Sequence, residues 1–169
     1  MNNVAISAAD VNKLRQMTGA GMMDCKKALT EANGDFEAAI DLLRKKGQKI
    51  AANRQDREAK EGYVFGKVTA DNKHGVIVAI CCETDFVAKN ADFVKFGESI
   101  LDVAMGKMPA TKDELNALAL GSTTVAEACV EQMGKIGEKI EVIDYQLVNA
   151  DKVIAYNHPG NKLTSMIGF

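Results

Sequence analysis

From residue 7 to residue 47 the apolar positions recur every three to four residues, and residues that start or stop helices punctuate each run. Ser7 is placed to cap a helix carrying Val11, Leu14 and Met17, and Thr18-Gly19-Ala20-Gly21 ends it with two glycines that supply a tight turn. A second helix is expected from Met22 to Asn33, stopping at Gly34. Asp35 then caps a third helix whose Ala38, Ala39, Leu42 and Leu43 form the apolar face, with Gly47 as its stop. Three short helices around a small apolar interior make a compact bundle.

Between Arg44 and Lys60 the pattern changes. Seven basic and two acidic residues stand there, with almost no apolar periodicity after Ile50-Ala51-Ala52. Basic runs that bind phosphate are denser and carry interleaved aromatics, so this stretch reads as a solvated, partly helical tether. Beyond it the period drops to two. Gly62 to Thr69 alternates as a strand, Asp71-Asn72-Lys73-His74-Gly75 supplies turn chemistry, and Val76 to Cys82 returns as the second arm of a hairpin. Helical spacing resumes through Val94, Phe96, Ile100, Leu101, Val103 and Ala104, ending near Gly106. Thr111-Lys112-Asp113-Glu114 and Thr124-Val125-Ala126-Glu127 have capping-box spacing, so further helices start near residues 112 and 125, the last ending around Gly134 to Gly137. Glu141 to Val148 alternates again, and Lys152 to Tyr156 resumes the strand after Asn149-Ala150-Asp151. The expected fold is α+β: a three-helix module over residues 1–50, a linker over 51–60, and over 61–169 a core with an antiparallel sheet packed by helices. Met166-Ile167-Gly168-Phe169 reads as an apolar strand opening with nothing after it to complete it.

Composition narrows the function. Twenty-one basic against 23 acidic residues leave a net charge of −2, which gives no general attraction to nucleic acid or lipid and favours a protein partner or a small ligand. The four cysteines, Cys25, Cys81, Cys82 and Cys129, have neither CxxC spacing nor a pairing framework, so they read as reduced cytosolic thiols. No apolar run reaches the roughly 18 residues of a membrane span, and Met1 to Ala5 lack the charged and apolar regions of a leader. A soluble, cytoplasmic protein is expected. Catalytic chemistry finds little support: His74 and His158 lie in turns far apart, and adjacent strand positions should put only one of Cys81 and Cys82 toward the core. Zinc-ligand spacings are missing, and Gly19-Ala20-Gly21 neither follows a strand nor precedes a lysine at phosphate-loop spacing. Neither metal, cofactor nor nucleotide is expected to bind the chain by itself.

The most informative segment is Glu83-Thr84-Asp85-Phe86-Val87-Ala88-Lys89-Asn90, which sets a carboxylate beside a large apolar ring where a strand gives way to a helix. The residues leave two readings open: Phe86 folds back onto the sheet while Asp85 caps the next helix, or the pair faces an external receptor. Met22-Met23 is similarly open between core and an adaptable surface.

Thr84-Asp85-Phe86-Val87-Ala88-Lys89-Asn90 resembles one signature of the elongation factor Ts family, guanine-nucleotide exchange factors for elongation factor Tu. Thr18-Gly19-Ala20-Gly21-Met22-Met23-Asp24-Cys25-Lys26-Lys27-Ala28-Leu29 resembles the other. The resemblance implies a module of the ubiquitin-associated type at the amino terminus, docking on the GTPase domain of elongation factor Tu through the positions of Leu14, Met22 and Met23. It implies that Asp85 and Phe86, fixed by Thr84 and Val87, act as a wedge that dislodges the elements holding magnesium, and that His158 makes a second contact near the phosphate loop. The partner is elongation factor Tu, GDP-bound and nucleotide-free, and no bond is made. In the family the core continues into a pseudo-repeated half and a helical hairpin that supports homodimers, so this chain is read as truncated. Two departures stand out: the longer Pro159 to Ser165 turn after His158, and Lys139 where the family usually has asparagine. The latter is expected to leave the wedge untouched.

Rival readings are a pure binding module for ubiquitin-like or helical surfaces, a thiol-dependent enzyme through Cys82, and a nucleic-acid binder. The last would need the steep salt dependence that this mixed charge disfavours.

Overall fold

Ser7 begins the first helix, α1 (Ala8–Thr18), with a reciprocal cap. Its hydroxyl accepts from the Asp10 N–H at 3.1 Å, and the Asp10 carboxylate accepts from the Ser7 N–H at 3.2 Å. Gly19, at φ 68°, closes the helix with an N–H to Arg15 O bond of 2.7 Å. α2 (Met22–Glu31) follows, and Asn33 and Gly34 turn the chain with positive φ before Asp35 caps α3 (Phe36–Asn53). The computed structural model describes residues 5–169, so the reading of Met1 to Val4 as a start without a leader concerns residues outside that range.

Contacts group the chain into two units. One comprises the residues up to Asp56 with Val130–Gly137; the other comprises Arg57–Cys129 with Glu138–Phe169. In the first, Val11, Leu14, Ala20, Cys25, Ala28, Leu29 and Ala39 form a buried cluster, with Phe36, Ile40, Leu42 and Leu43 packed against it. Two expected core positions are corrected. Met17 is exposed, because the next inward position after Leu14 is Thr18, whose hydroxyl donates to Leu14 O at 2.8 Å. Ala38 is also exposed, the inward stripe of α3 passing through Phe36, Ala39, Ile40 and Leu43. Gly47 does not stop α3. A Cβ there would lie 3.2 Å from Val130 O and 3.7 Å from Gly134 Cα, so this glycine serves a close helix approach to the second half of the last helix, α7 (Val125–Ile136).

The second unit is built on an antiparallel sheet, β1 (Glu61–Val68), β2 (His74–Cys82) and β5 (Glu141–Asn149), in the order β1-β2-β5. Phe65 faces Val78 across the first pair and Val78 faces Tyr145 across the second, with a bulge where the register shifts between Ala79 and Ile80. β2 is central and covered on both faces. Cys81 and Cys82 are therefore both buried, correcting the expectation that only one would be.

After β2 comes a single helical turn, α4 (Asp85–Ala88). Asn90 then caps α5 (Ala91–Lys107), its Oδ1 accepting from the Asp92 N–H at 2.8 Å. α5 lies on β1 and β2 through Phe93, Gly97, Ile100, Leu101 and Ala104. The sequence pattern had favoured Val94, Phe96 and Val103, which are only half-buried. The true inward stripe runs through Gly97, whose missing side chain makes room for the Phe65 ring. A Cβ at Gly97 would stand 2.2 Å from Phe65 Cε2, so Gly97→Ala should lower stability by about 1–3 kcal/mol through overpacking. Urea unfolding followed by far-UV circular dichroism checks this, and an unchanged midpoint would contradict it.

α6 (Lys112–Ala117) is capped by Thr111 and α7 by Thr124 with Glu127, as their spacing predicted. Between them two-residue strands β3 (Ala119–Leu120) and β4 (Thr123–Thr124) flank Gly121, a hairpin too short for alternation to reveal. β6 (Val153–Asn157) pairs with β7 (Thr164–Gly168), so the strand opening at Met166 is partnered after all, and the hairpin packs beside β1. There the Asn157 amide donates to Gly66 O at 3.0 Å while its Oδ1 accepts from Gly66 N–H at 3.1 Å. Asn161 O takes the Val64 N–H at 2.9 Å.

Candidate partner-binding site

The backbone ladder between β2 and β5 reaches its last rung at Cys81 and Glu141. Past it, side chains take over. The Glu138 carboxylate accepts the N–H groups of Glu83 and Thr84 on one oxygen, each at 3.0 Å, and the Thr84 hydroxyl on the other at 2.7 Å. In return the Lys139 N–H donates to Glu83 Oε1 at 2.7 Å, and Arg57 lies 3.6 Å from the other Glu83 oxygen. Glu138 thus touches the Thr84 turn through its side chain, whereas Lys139 reaches Glu83 through its backbone N–H. The Lys139 ammonium itself pairs with Glu141 at 3.3 Å.

Thr84 is extended, at φ −123° and ψ 153°, and caps α4, its Oγ1 accepting from the Val87 N–H at 3.4 Å. Ala88 is buried and ties the turn inward, and the Cys82 thiol donates to Thr84 O at 3.2 Å. Phe86 points the other way. It is 84% exposed, the most exposed large apolar side chain among the described residues, which excludes its folding back onto the sheet. The capping of α5 falls to Asn90, so Asp85 does not serve there either. Asp85 instead meets Lys89 at 2.7 Å; that hydrogen bond and charge hold the Asp85 carboxyl below its ordinary range and raise the Lys89 ammonium. Both therefore stay charged at neutral pH beside an uncovered ring.

The neighbouring thiols are not poised for chemistry. Burial, and secondarily the Glu138 charge, pushes Cys82 up to about 12, and burial pushes Cys129 up to about 12, so neither holds a useful thiolate fraction at neutral pH.

The other expected contact residues divide. Leu14 is fully buried in the first unit's core and presents no surface in the free protein. Met22 and Met23 are 53% and 63% exposed; both face outward because Cys25, Ala28 and Leu29 take the inward positions of α2. They belong to the first unit, whereas Thr84 to Val87 belong to the second. His158 is exposed at the β6–β7 turn, with its Nδ1 3.0 Å from Tyr156 Oη and its backbone N–H on Leu163 O. Glu138 was missed by sequence reasoning: it stands 54 positions from Thr84, beyond any local pattern.

The molecule is thus an α+β protein with an uncovered aromatic on a clamped turn. The family model described as Elongation factor TS matches residues 83–169, just over half of the chain, so the chain belongs to the elongation factor Ts family. It is 52% identical to elongation factor Ts of Amoebophilus asiaticus over 97% of its own length and 59% of that protein. It is 53% identical to that of Cytophaga hutchinsonii over 96% and 59% respectively, and 49% identical to that of Bacteroides thetaiotaomicron over 98% and 50%. The chain thus spans about half to three-fifths of the length of these curated relatives.

Proposed function

We propose that this chain binds elongation factor Tu and promotes exchange of its bound GDP for GTP. The observation that carries the reading is Phe86, an apolar ring left 84% exposed on a turn held by several hydrogen bonds. A ring so exposed contributes little to the free protein and is available for burial against a partner. In this reading it enters an apolar pocket of elongation factor Tu and displaces elements that hold the magnesium ion. That ion bridges and neutralises nucleotide phosphates, so loosening its shell releases the nucleotide.

No bond is made or broken. The chain prefers the nucleotide-free partner, and by linkage its binding and that of GDP oppose each other by the same coupling free energy. Asp85 lies next to the ring as a fixed negative charge, while Thr84 and Val87 hold the turn's shape. Met22 and Met23 form a soft, adaptable patch for docking on the GTPase domain, and His158 makes a second contact. Leu14 serves these contacts only by holding its unit together. The setting is the cytoplasm, where translation takes place, and no described helix is long and apolar enough to cross a membrane.

Release of a fluorescent GDP analogue from elongation factor Tu, at fixed magnesium, tests this. Addition of the chain is expected to accelerate release in proportion to its concentration before saturating. Binding without acceleration would reduce the chain to a docking module, and the absence of both would overturn the proposal.

A further inference from the structure

We propose that Glu138 is the positioning residue of the Thr84–Val87 turn, setting the direction in which Phe86 is presented. The inference rests on the exchange reading for its functional consequence and on geometry alone for its structural one. α4 is a single turn of four residues, too short to persist by its own hydrogen bonds. Its start lies past the last β2–β5 rung, so Glu83 and Thr84 would otherwise present two N–H groups with no strand opposite. One carboxylate takes both, and its second oxygen takes the Thr84 hydroxyl.

That third bond has a directional consequence. An ionised carboxylate only accepts, so the Thr84 hydroxyl must donate to it. Its lone pairs are then free for the Val87 N–H, which is the capping bond that starts the turn carrying Phe86. Glu138 therefore fixes both the backbone entering the turn and the rotor of its cap. Glutamine keeps the size but turns one end of the group into a donor, which opposes either the two N–H groups or the hydroxyl's orientation. Alanine leaves all three donors to water.

The test compares the parent with Glu138→Gln, Glu138→Ala, Phe86→Ala and the double variant Glu138→Gln/Phe86→Ala. Amide hydrogen exchange is read residue by residue on the free proteins, and GDP-analogue release is read with elongation factor Tu. Losing a charge-assisted acceptor should speed exchange of the Glu83, Thr84 and Val87 amides by about tenfold, with the β1-β2-β5 amides unchanged. Exchange promotion should fall by about five- to tenfold in Glu138→Gln, and by less than twofold when Phe86 is already alanine, because the carboxylate acts through the ring. Unchanged protection of those three amides in both Glu138 variants would overturn the proposal. So would protection lost evenly across the sheet, or an equal fold-change in the two Phe86 backgrounds. If Glu138→Ala fails to fold, Glu138→Gln alone decides. If the parent does not promote exchange, the functional reading falls, and the amide data still decide whether Glu138 holds the turn.

Discussion

Phe86→Ala is expected to cut promotion of GDP release by about 10- to 150-fold, the rate equivalent of the roughly 1.5–3 kcal/mol released when a Phe side chain is buried. The loss should come almost entirely from the complex. In the free protein the ring is 84% exposed, so its removal leaves no cavity and should leave the melting temperature within about a degree. Phe86→Leu should fall between parent and alanine, since an aliphatic side chain restores part of the buried area but not the ring's width. Stopped-flow release at fixed magnesium, with the concentration of the chain varied, separates weaker association from slower displacement. A Phe86→Ala rate within twofold of the parent would remove the wedge from the mechanism.

Leu14→Ala should act in the opposite manner, on stability rather than on contact. The side chain is fully buried among Val11, Cys25, Ala28 and Leu29, and truncation of such a leucine costs about 2–5 kcal/mol from lost transfer and residual cavity. A small helical unit has little stability to lose, so helices α1 to α3 should melt early while the β-sheet unit keeps its own transition. Circular dichroism at 222 nm against near-ultraviolet signal from the tyrosines of the second unit would resolve the two events. Leu14→Met, which conserves volume, should preserve both fold and affinity for elongation factor Tu. If it weakened affinity with the fold intact, Leu14 would be a contact residue after all.

Helix starts were legible in the sequence because capping is local chemistry. Ser7, Asp35, Thr111 and Thr124 each cap the helix expected of them, since a short polar side chain reaches N–H groups two or three residues away wherever it stands. The β1–β2 hairpin was legible for a related reason, since the turn chemistry of Asp71 to Gly75 stands between two strand-like runs, whereas the β3–β4 and β6–β7 pairings were not read. What failed was information carried across the chain. Gly47 looks like a stop until Gly134 is seen against it. Gly97 belongs to the buried stripe of α5 only because Phe65 fills its place. Cys81 and Cys82 are both buried because β2 is covered on both faces, by elements that lie elsewhere in the chain. At the candidate site, local pattern placed Asp85 and Phe86 at a strand-to-helix junction, and the family signature singled out Phe86 and the fixing role of Thr84. The carboxylate from position 138 was invisible to both.

The Asn157 amide bonded to both polar atoms of Gly66 has a consequence for solubility. β1 is the outer strand of its sheet, and an uncovered outer strand is a template on which another chain can build. Asn157 imitates one residue of a neighbouring strand, and the Thr164 hydroxyl, donating to Asn157 Oδ1 at 2.9 Å, keeps its amide from flipping. The Asn161 backbone carbonyl takes the Val64 N–H on the same edge. Gly66 permits this close cover, since a Cβ there would sit 2.5 Å from Thr164 Cγ2. The β6–β7 hairpin thereby covers this edge, occupying with two asparagines the positions at which another strand would pair.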